Sequence, residues 1–434
     1  MKNILRNKEI LNSIWIMIER IFNMFISLVI SMLTARYLGP SNFGILNYTA
    51  SFVAFVTSIA TLGMDGVVIK KIVQFEKETG KYLGSCICYR FFSAILSTVM
   101  ITIVIYLLNP KDTIKIILVL IQSGQLIMKS IQILDSWFQR YLKSKYVSIG
   151  KIIACVIVSS YKIFLLITAK SLVWFAFSNV ITEAVISFVL LFYYLKYEKQ
   201  SLSFSIIKGY EVLKESYHFI LSGLMVAVYT QMDRIMIGQM LTDLDVGLYT
   251  TATSICGMWI FIPTAIITSF QPKIMELKFK KEEELYLEKL KQLYSCIIWL
   301  CIIVSFGVVI FAKILICILY GKAYLGAVVT LRIAIWFETF AMIGTARGIW
   351  ILCEDKNRYV KYYLCIGAIV NLILNSLLIP KFGINGAAYA TLVTQIITSL
   401  IAPLLFKETM IHTKLVIEAF LIKWYWKKYK VMKR

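Results

Sequence analysis

The chain has 434 residues, 59% of them hydrophobic and only 16% charged, yet its formal net charge is +22. A soluble globular protein of this length would carry far more charge, so that class is excluded. Nucleic-acid binding, which so basic a chain otherwise raises, is set aside because lysine and arginine concentrate in alternate gaps between long apolar runs.

The apolar runs lie near 11–34, 43–64, 86–108, 114–138, 147–169, 172–195, 217–240, 246–270, 293–319, 326–350, 360–379 and 384–406. Most hold about 20 residues, enough to cross the hydrocarbon layer as helix. Glu19 and Arg20 interrupt the first run, so it reads as a membrane span rather than a cleaved signal peptide. The gap after the second run holds Lys70, Lys71, Lys77 and Lys81, and the gap after the eighth holds Lys278, Lys280 and Lys281. The odd-numbered gaps carry one or two basic residues each, such as Arg36, Lys170, Lys322 and Lys381. The positive-inside rule then places both termini in the cytoplasm. The tail ends in an aromatic-basic run over 423–430, suited to an anionic inner leaflet.

Gly44-Ile45 recurs as Gly247-Leu248, and Lys129 with Asp135 recurs as Arg332 with Glu338 at the same offset. This points to a six-plus-six repeat. The predicted fold is all-α: a polytopic membrane protein of about twelve transmembrane helices, in two six-helix bundles around a central cavity. The bundles are expected over 1–200 and 201–406, with a basic aromatic cytoplasmic tail over 407–434.

Several spans carry polar stripes. Span 1 aligns Asn12, Glu19, Asn23, Ser27 and Thr34, with Arg20 beside them. Span 4 aligns Gln122, Gln125, Lys129, Gln132, Ser136 and Gln139, with Asp135 at the edge. Steps of three and four place each set on one helical face, and such groups cannot face lipid. They either line a cavity or bond neighbouring helices. Span 7 adds Asp233 and Arg234, and span 10 adds Glu338. The intramembrane bases Arg20, Lys129, Lys162, Arg234 and Arg332 would make the cavity basic and fit for an anion, phosphate above all. The competing reading pairs each with a nearby acid, Asp135 with Lys129 and Asp233 with Arg234. Glu183 has no basic partner in its own helix and is the candidate for ion coupling.

No phosphate-loop motif and no metal-ligand cluster is found, and there are only two histidines, so no cofactor is expected. The nine cysteines show no metal or disulfide spacing. Asp243-Leu244-Asp245 has a glycosyltransferase-like spacing but lies in a short outward gap, where acidic turn residues are ordinary.

The stretch Ala35-Arg36-Tyr37-Leu38-Gly39-Pro40-Ser41-Asn42-Phe43-Gly44 resembles the span 1–2 signature of Wzx-type flippases of the multidrug/oligosaccharidyl-lipid/polysaccharide exporter superfamily. Leu62-Gly63-Met64-Asp65-Gly66, Asp233-Arg234-Ile235-Met236-Ile237-Gly238 and Phe382-Gly383-Ile384-Asn385-Gly386 are similar to later family regions, in the family's order. The resemblance implies a flippase, not an enzyme. It would move undecaprenyl-diphosphate-linked O-antigen or similar repeat units across the bacterial inner membrane by alternating access. A polysaccharide polymerase and a chain-length regulator are the implied partners. Arg20 beside Glu19 is the foremost phosphate candidate, followed by Lys129 and Arg332. Twelve spans argue against a peptidoglycan precursor, whose flippases have more. A cation-coupled drug exporter of the same superfamily and an O-antigen polymerase are the rival readings. The first is opposed by the basic cavity and the second by the lack of a long outward loop.

Overall fold

The computed structural model describes residues 8–198 and 200–421, with side chains from residue 15 onward. Lys2, Arg6, the side chain of Asn12 and the aromatic-basic run 423–430 lie outside the described residues. The described chain is helical, with no strand. It comprises α1 (Lys8–Ala60), α2 (Asp65–Gln74), α3 (Thr79–Leu108), α4 (Thr113–Lys129), α5 (Asp135–Arg140), α6 (Ser144–Ile167), α7 (Leu172–Tyr197), α8 (Ile206–Met240), α9 (Asp243–Gly257), α10 (Phe261–Phe279), α11 (Glu283–Leu319), α12 (Val328–Cys353), α13 (Val360–Phe382), α14 (Ile384–Ile396) and α15 (Met410–Phe420).

Eleven helical runs among the described residues are long and apolar enough to cross a membrane. The first, Trp15–Gln74, contains a break. Helix α1 has 53 residues, which as one straight rod would extend about 80 Å, against a hydrocarbon core of about 30 Å. At Gly39 the backbone turns to φ 72°, ψ 167°, and Pro40 follows. That conformation is open to glycine and costly for other residues. Proline then starts a new helical arm with its fixed φ and without needing an amide hydrogen. Counting the two arms separately yields the twelve expected spans of a multi-pass membrane protein.

The chain divides into two compact units, Met1–Ile235 and Met236–Arg434. In the first, Met64, Tyr82, Trp137, Phe138, Tyr194 and Val212 belong to one buried cluster. Val212 brings the beginning of α8 into that core. The segment before α8 is also docked there: Ser203 N donates to Gly80 O at 3.2 Å and Ser205 N to Ser85 Oγ at 2.9 Å. A Cβ on Gly84 would meet Ser203 O at 2.5 Å, so only glycine admits this approach. Tyr82 donates to Glu211 at 2.8 Å, Lys208 pairs with Glu78 at 2.8 Å, and Lys71 with Glu215 at 2.6 Å. These contacts explain why the division falls within α8, beyond the break expected near residue 200.

The seam between α4 and α7 is polar. Lys129 Nζ lies 3.3 Å from Glu183 Oε1. Gln132 Nε2 donates to Glu183 Oε2 at 2.7 Å, and Ser187 Oγ donates to Met128 O at 2.7 Å. Glu183 therefore has a basic partner, supplied by a different helix from its own.

In the second unit, Arg347 Nη1 donates to Thr398 O at 2.6 Å. Thr398 lies in the widened turn Ile397–Ile401, whose shifted register leaves carbonyls for a side chain to bind. Helix α15 packs on α11, with Lys291 paired to Glu418 at 2.5 Å and Trp299 stacked on Phe420. Outside the spans, Lys356 and Arg358 hold the Glu408 carboxyl down at about 2. Thr242 caps α9: its hydroxyl accepts from Asp245 N while Asp245 Oδ2 accepts from Thr242 N. Asp245 of the Asp243-Leu244-Asp245 spacing is thus accounted for by helix capping.

Two stability predictions follow from the break and the seam. A Cβ at Gly39 would meet open space, so Gly39→Ala isolates backbone strain. It should cost about 1–3 kcal/mol, read as a fall of a few degrees in the detergent-solubilised melting temperature. Glu183→Met leaves Lys129 without its partner and should cost up to about 3 kcal/mol. The double variant Lys129→Met/Glu183→Met should recover most of that loss in the same assay.

Candidate functional site

The first unit contains two adjoining clefts that share one residue, Lys151. The first, about 430 Å³, is lined by Glu19 and Arg20 of α1, Asp135 and Gln139 at α5, and Ser148 and Lys151 of α6. The second, about 310 Å³, is lined by Asn23 and Ser27 of α1, Lys151, Ser159 and Lys162 of α6, and Asn179 of α7, with further small and apolar residues.

Local sequence explains the convergence. Glu19, Asn23 and Ser27 follow one another at intervals of four along α1. Lys151, Cys155, Ser159 and Lys162 do so at intervals of four, four and three along α6. Each set therefore forms one stripe, and α1 and α6 pack extensively, bringing the two stripes together. Glu19 is buried and its Oε1 accepts from Asn23 Nδ2 at 2.5 Å. Asp135 accepts from Gln139 Nε2 at 3.1 Å. Among the described residues, no carboxylate oxygen lies within 4.0 Å of a side-chain nitrogen of Arg20, Lys151 or Lys162. Arg20 is exposed and Lys151 and Lys162 are half-buried; bases on membrane spans without a direct counter-ion call for water or an anionic ligand.

The remaining candidates lie elsewhere. Lys129 faces Glu183 across the α4–α7 seam. Gln122 is fully buried and donates to Leu46 O at 3.3 Å, and Gln132 donates to Glu183. Both bond neighbouring helices, and neither lines the two clefts. Gln125 is half-buried on α4, also away from them. Asp233 is buried and Arg234 half-buried near the end of the first unit, and neither is without a partner. In the second unit Arg332 is exposed, with its Nε donating to Val309 O at 3.1 Å, while Glu338 is buried on α12. The structure therefore groups Arg20, Lys162, Glu19, Asn23 and Asp135. It adds Lys151, which the polar-stripe reading missed. Its signal was its spacing: eleven residues before Lys162 is three helical turns, on the same face.

The fold has solved relatives. Over 95% of this chain and 92% of the other, it is similar to "Lipid II flippase MurJ, inward closed conformation", with TM-score 0.72 and 18% identity. It is similar to an inward-facing multidrug resistance MATE family transporter of the MOP superfamily, with TM-score 0.66 and 13% identity, over 91% of this chain and 95% of that one. A stretch of 163 residues is 26% identical to the probable low-salt glycan biosynthesis flippase Agl15 of Haloferax volcanii, covering 38% of this chain. That match spans about a third (34%) of the relative's length. These relatives are flippases and transporters, not enzymes. The profile of the family described as "Polysaccharide biosynthesis protein" matches residues 10–278, well over half of the sequence. With the transporter fold beside that match, the chain belongs to the polysaccharide biosynthesis protein family.

Proposed function

We propose that the protein is a flippase for lipid-diphosphate-linked oligosaccharides. In this reading its cargo is an undecaprenyl-diphosphate-linked O-antigen or similar polysaccharide repeat unit. It crosses the bacterial inner membrane by alternating access, with both chain termini in the cytoplasm. The observation that carries the reading is the set of three bases, Arg20, Lys151 and Lys162, at two clefts that also present amide and hydroxyl groups. Arg20 and Lys151, which both line the first cleft, suit the diphosphate, Arg20 through its planar fork and Lys151 as a mobile point charge. Asn23, Asn179 and Ser159 suit sugar hydroxyls, which need donors and acceptors at close spacing. The lipid tail remains in the bilayer throughout, so no enclosed apolar chamber is required.

The family membership and the glycan biosynthesis flippase activity named for the Haloferax volcanii relative support this substrate class. The drug-exporter reading has a shared fold in its favour. The unpaired bases weigh against it, because a cationic drug would be repelled.

Deletion of the gene in its source strain tests the proposal. Surface polysaccharide should be lost while intact lipid-linked repeat units accumulate on the cytoplasmic leaflet. Unchanged polysaccharide with raised drug sensitivity would replace the flippase reading with efflux. On complementation, Arg20→Ala and Lys151→Ala should each lower export at least about tenfold, as expected for loss of a charge-assisted contact, at normal protein level. The double Lys129→Met/Glu183→Met should retain export, because the native Lys129 and Glu183 charges satisfy each other rather than the cargo.

A further inference from the structure

We propose that the Lys162 end of the second cleft is a separate anion subsite, which reads an acidic group on the glycan itself rather than the lipid diphosphate. The inference rests on the flippase reading and adds a property of the cargo. Lys151 and Lys162 are eleven residues apart on one helix, which sets their Cα atoms about 16 Å from each other. Side chains on one helical face lean the same way, toward the N-terminus, so the two ammonium groups keep much of that separation. A diphosphate is far shorter. It can engage Arg20 and Lys151, which both line the first cleft, but not Lys162 as well.

The two clefts also differ in charge. The first holds Glu19 and Asp135 against Arg20 and Lys151. The second holds Lys151 and Lys162 with no aspartate or glutamate in its lining. Its other polar groups are neutral: Asn23, Ser27, Ser159, Asn179 and Thr182. Thr182 Oγ1 donates to Ser178 O at 2.8 Å and so offers chiefly an acceptor. An isolated ammonium among amides and hydroxyls matches a sugar ring bearing a carboxylate or phosphate, positioned beyond the sugar attached to the diphosphate. Ordinary snorkelling would instead carry the Lys162 ammonium to the membrane surface and leave it out of recognition.

The test uses the full-length protein, purified in detergent free of anionic lipid, and two synthetic polyprenyl-diphosphate-linked trisaccharides. They differ only in the terminal sugar, glucuronate in one and glucose in the other. The native protein should bind the glucuronate probe about tenfold more tightly, the gain typical of one charge-assisted contact. Lys162→Met should abolish the difference while leaving binding of the glucose probe unchanged, and Lys162→Arg should retain it. Lys151→Met should weaken both probes alike. Equal binding of the two probes by the native protein overturns the subsite and leaves the flippase reading standing. Binding of neither probe overturns both. If phosphatidylglycerol removes the preference without weakening the glucose probe, Lys162 is a lipid-headgroup site and the proposal fails. Because the first comparison uses only native protein, it holds even where a variant does not fold.

Discussion

An uncompensated charge in a hydrocarbon layer is costly, by several kcal/mol even after local relaxation. Every basic residue within a span therefore needs a carboxylate, a carbonyl, water or a ligand nearby. Lys129 has Glu183, Arg90 has Asp65 at 2.9 Å, and Arg347 has the carbonyl of Thr398 in the widened turn of the last span. Those pairings hold helices together and leave little attraction for cargo. Arg20, Lys151 and Lys162 lack such partners and share two clefts. The sorting of bases by partner, rather than their mere presence in spans, is what locates the candidate site.

Glycine backbone geometry shapes the unit that holds that site. The break at Gly39 lets one long helical run become two arms, and the first arm carries Glu19, Arg20 and Asn23 to the cleft walls. Elsewhere in the unit, Gly84 admits the backbone of Ser203. The segment ahead of α8 is tied there by backbone hydrogen bonds and ion pairs. This chain is thus held along the first unit well past the end of α7.

The spans, their number and the transporter family were legible because each rests on local pattern. Apolar length counts helices, Gly39-Pro40 marks the break, and short ordered motifs carry the family resemblance. The use of each polar residue was less legible, because a stripe defines a face but not what that face meets. Gln122 and Gln132 belong to the polar stripe of span 4, and they reach Leu46 O and Glu183 on neighbouring helices. Glu183 has no basic partner in its own helix, and only packing brings Lys129 to it. Lys151 escapes the polar-stripe reading because it lies near one end of its span, where lysines are common. Its register with Lys162 was nevertheless in the sequence.

A transporter must release what it binds, so the best site is not the most basic one. In the first cleft the two bases face two carboxylates. In the proposed reading a diphosphate entering there would gain attraction from Arg20 and Lys151 and meet repulsion from Glu19 and Asp135. Its net binding is moderated and departure on the other side stays possible. The second cleft has no such brake in its lining, but an acidic sugar brings less charge than a diphosphate. In the proposed reading, moderate attraction at each of two points, spaced along one helix, would make selection depend on both being filled together. A cargo with only one of the two anionic groups would be held weakly, so discrimination comes from spacing rather than from strength at either point.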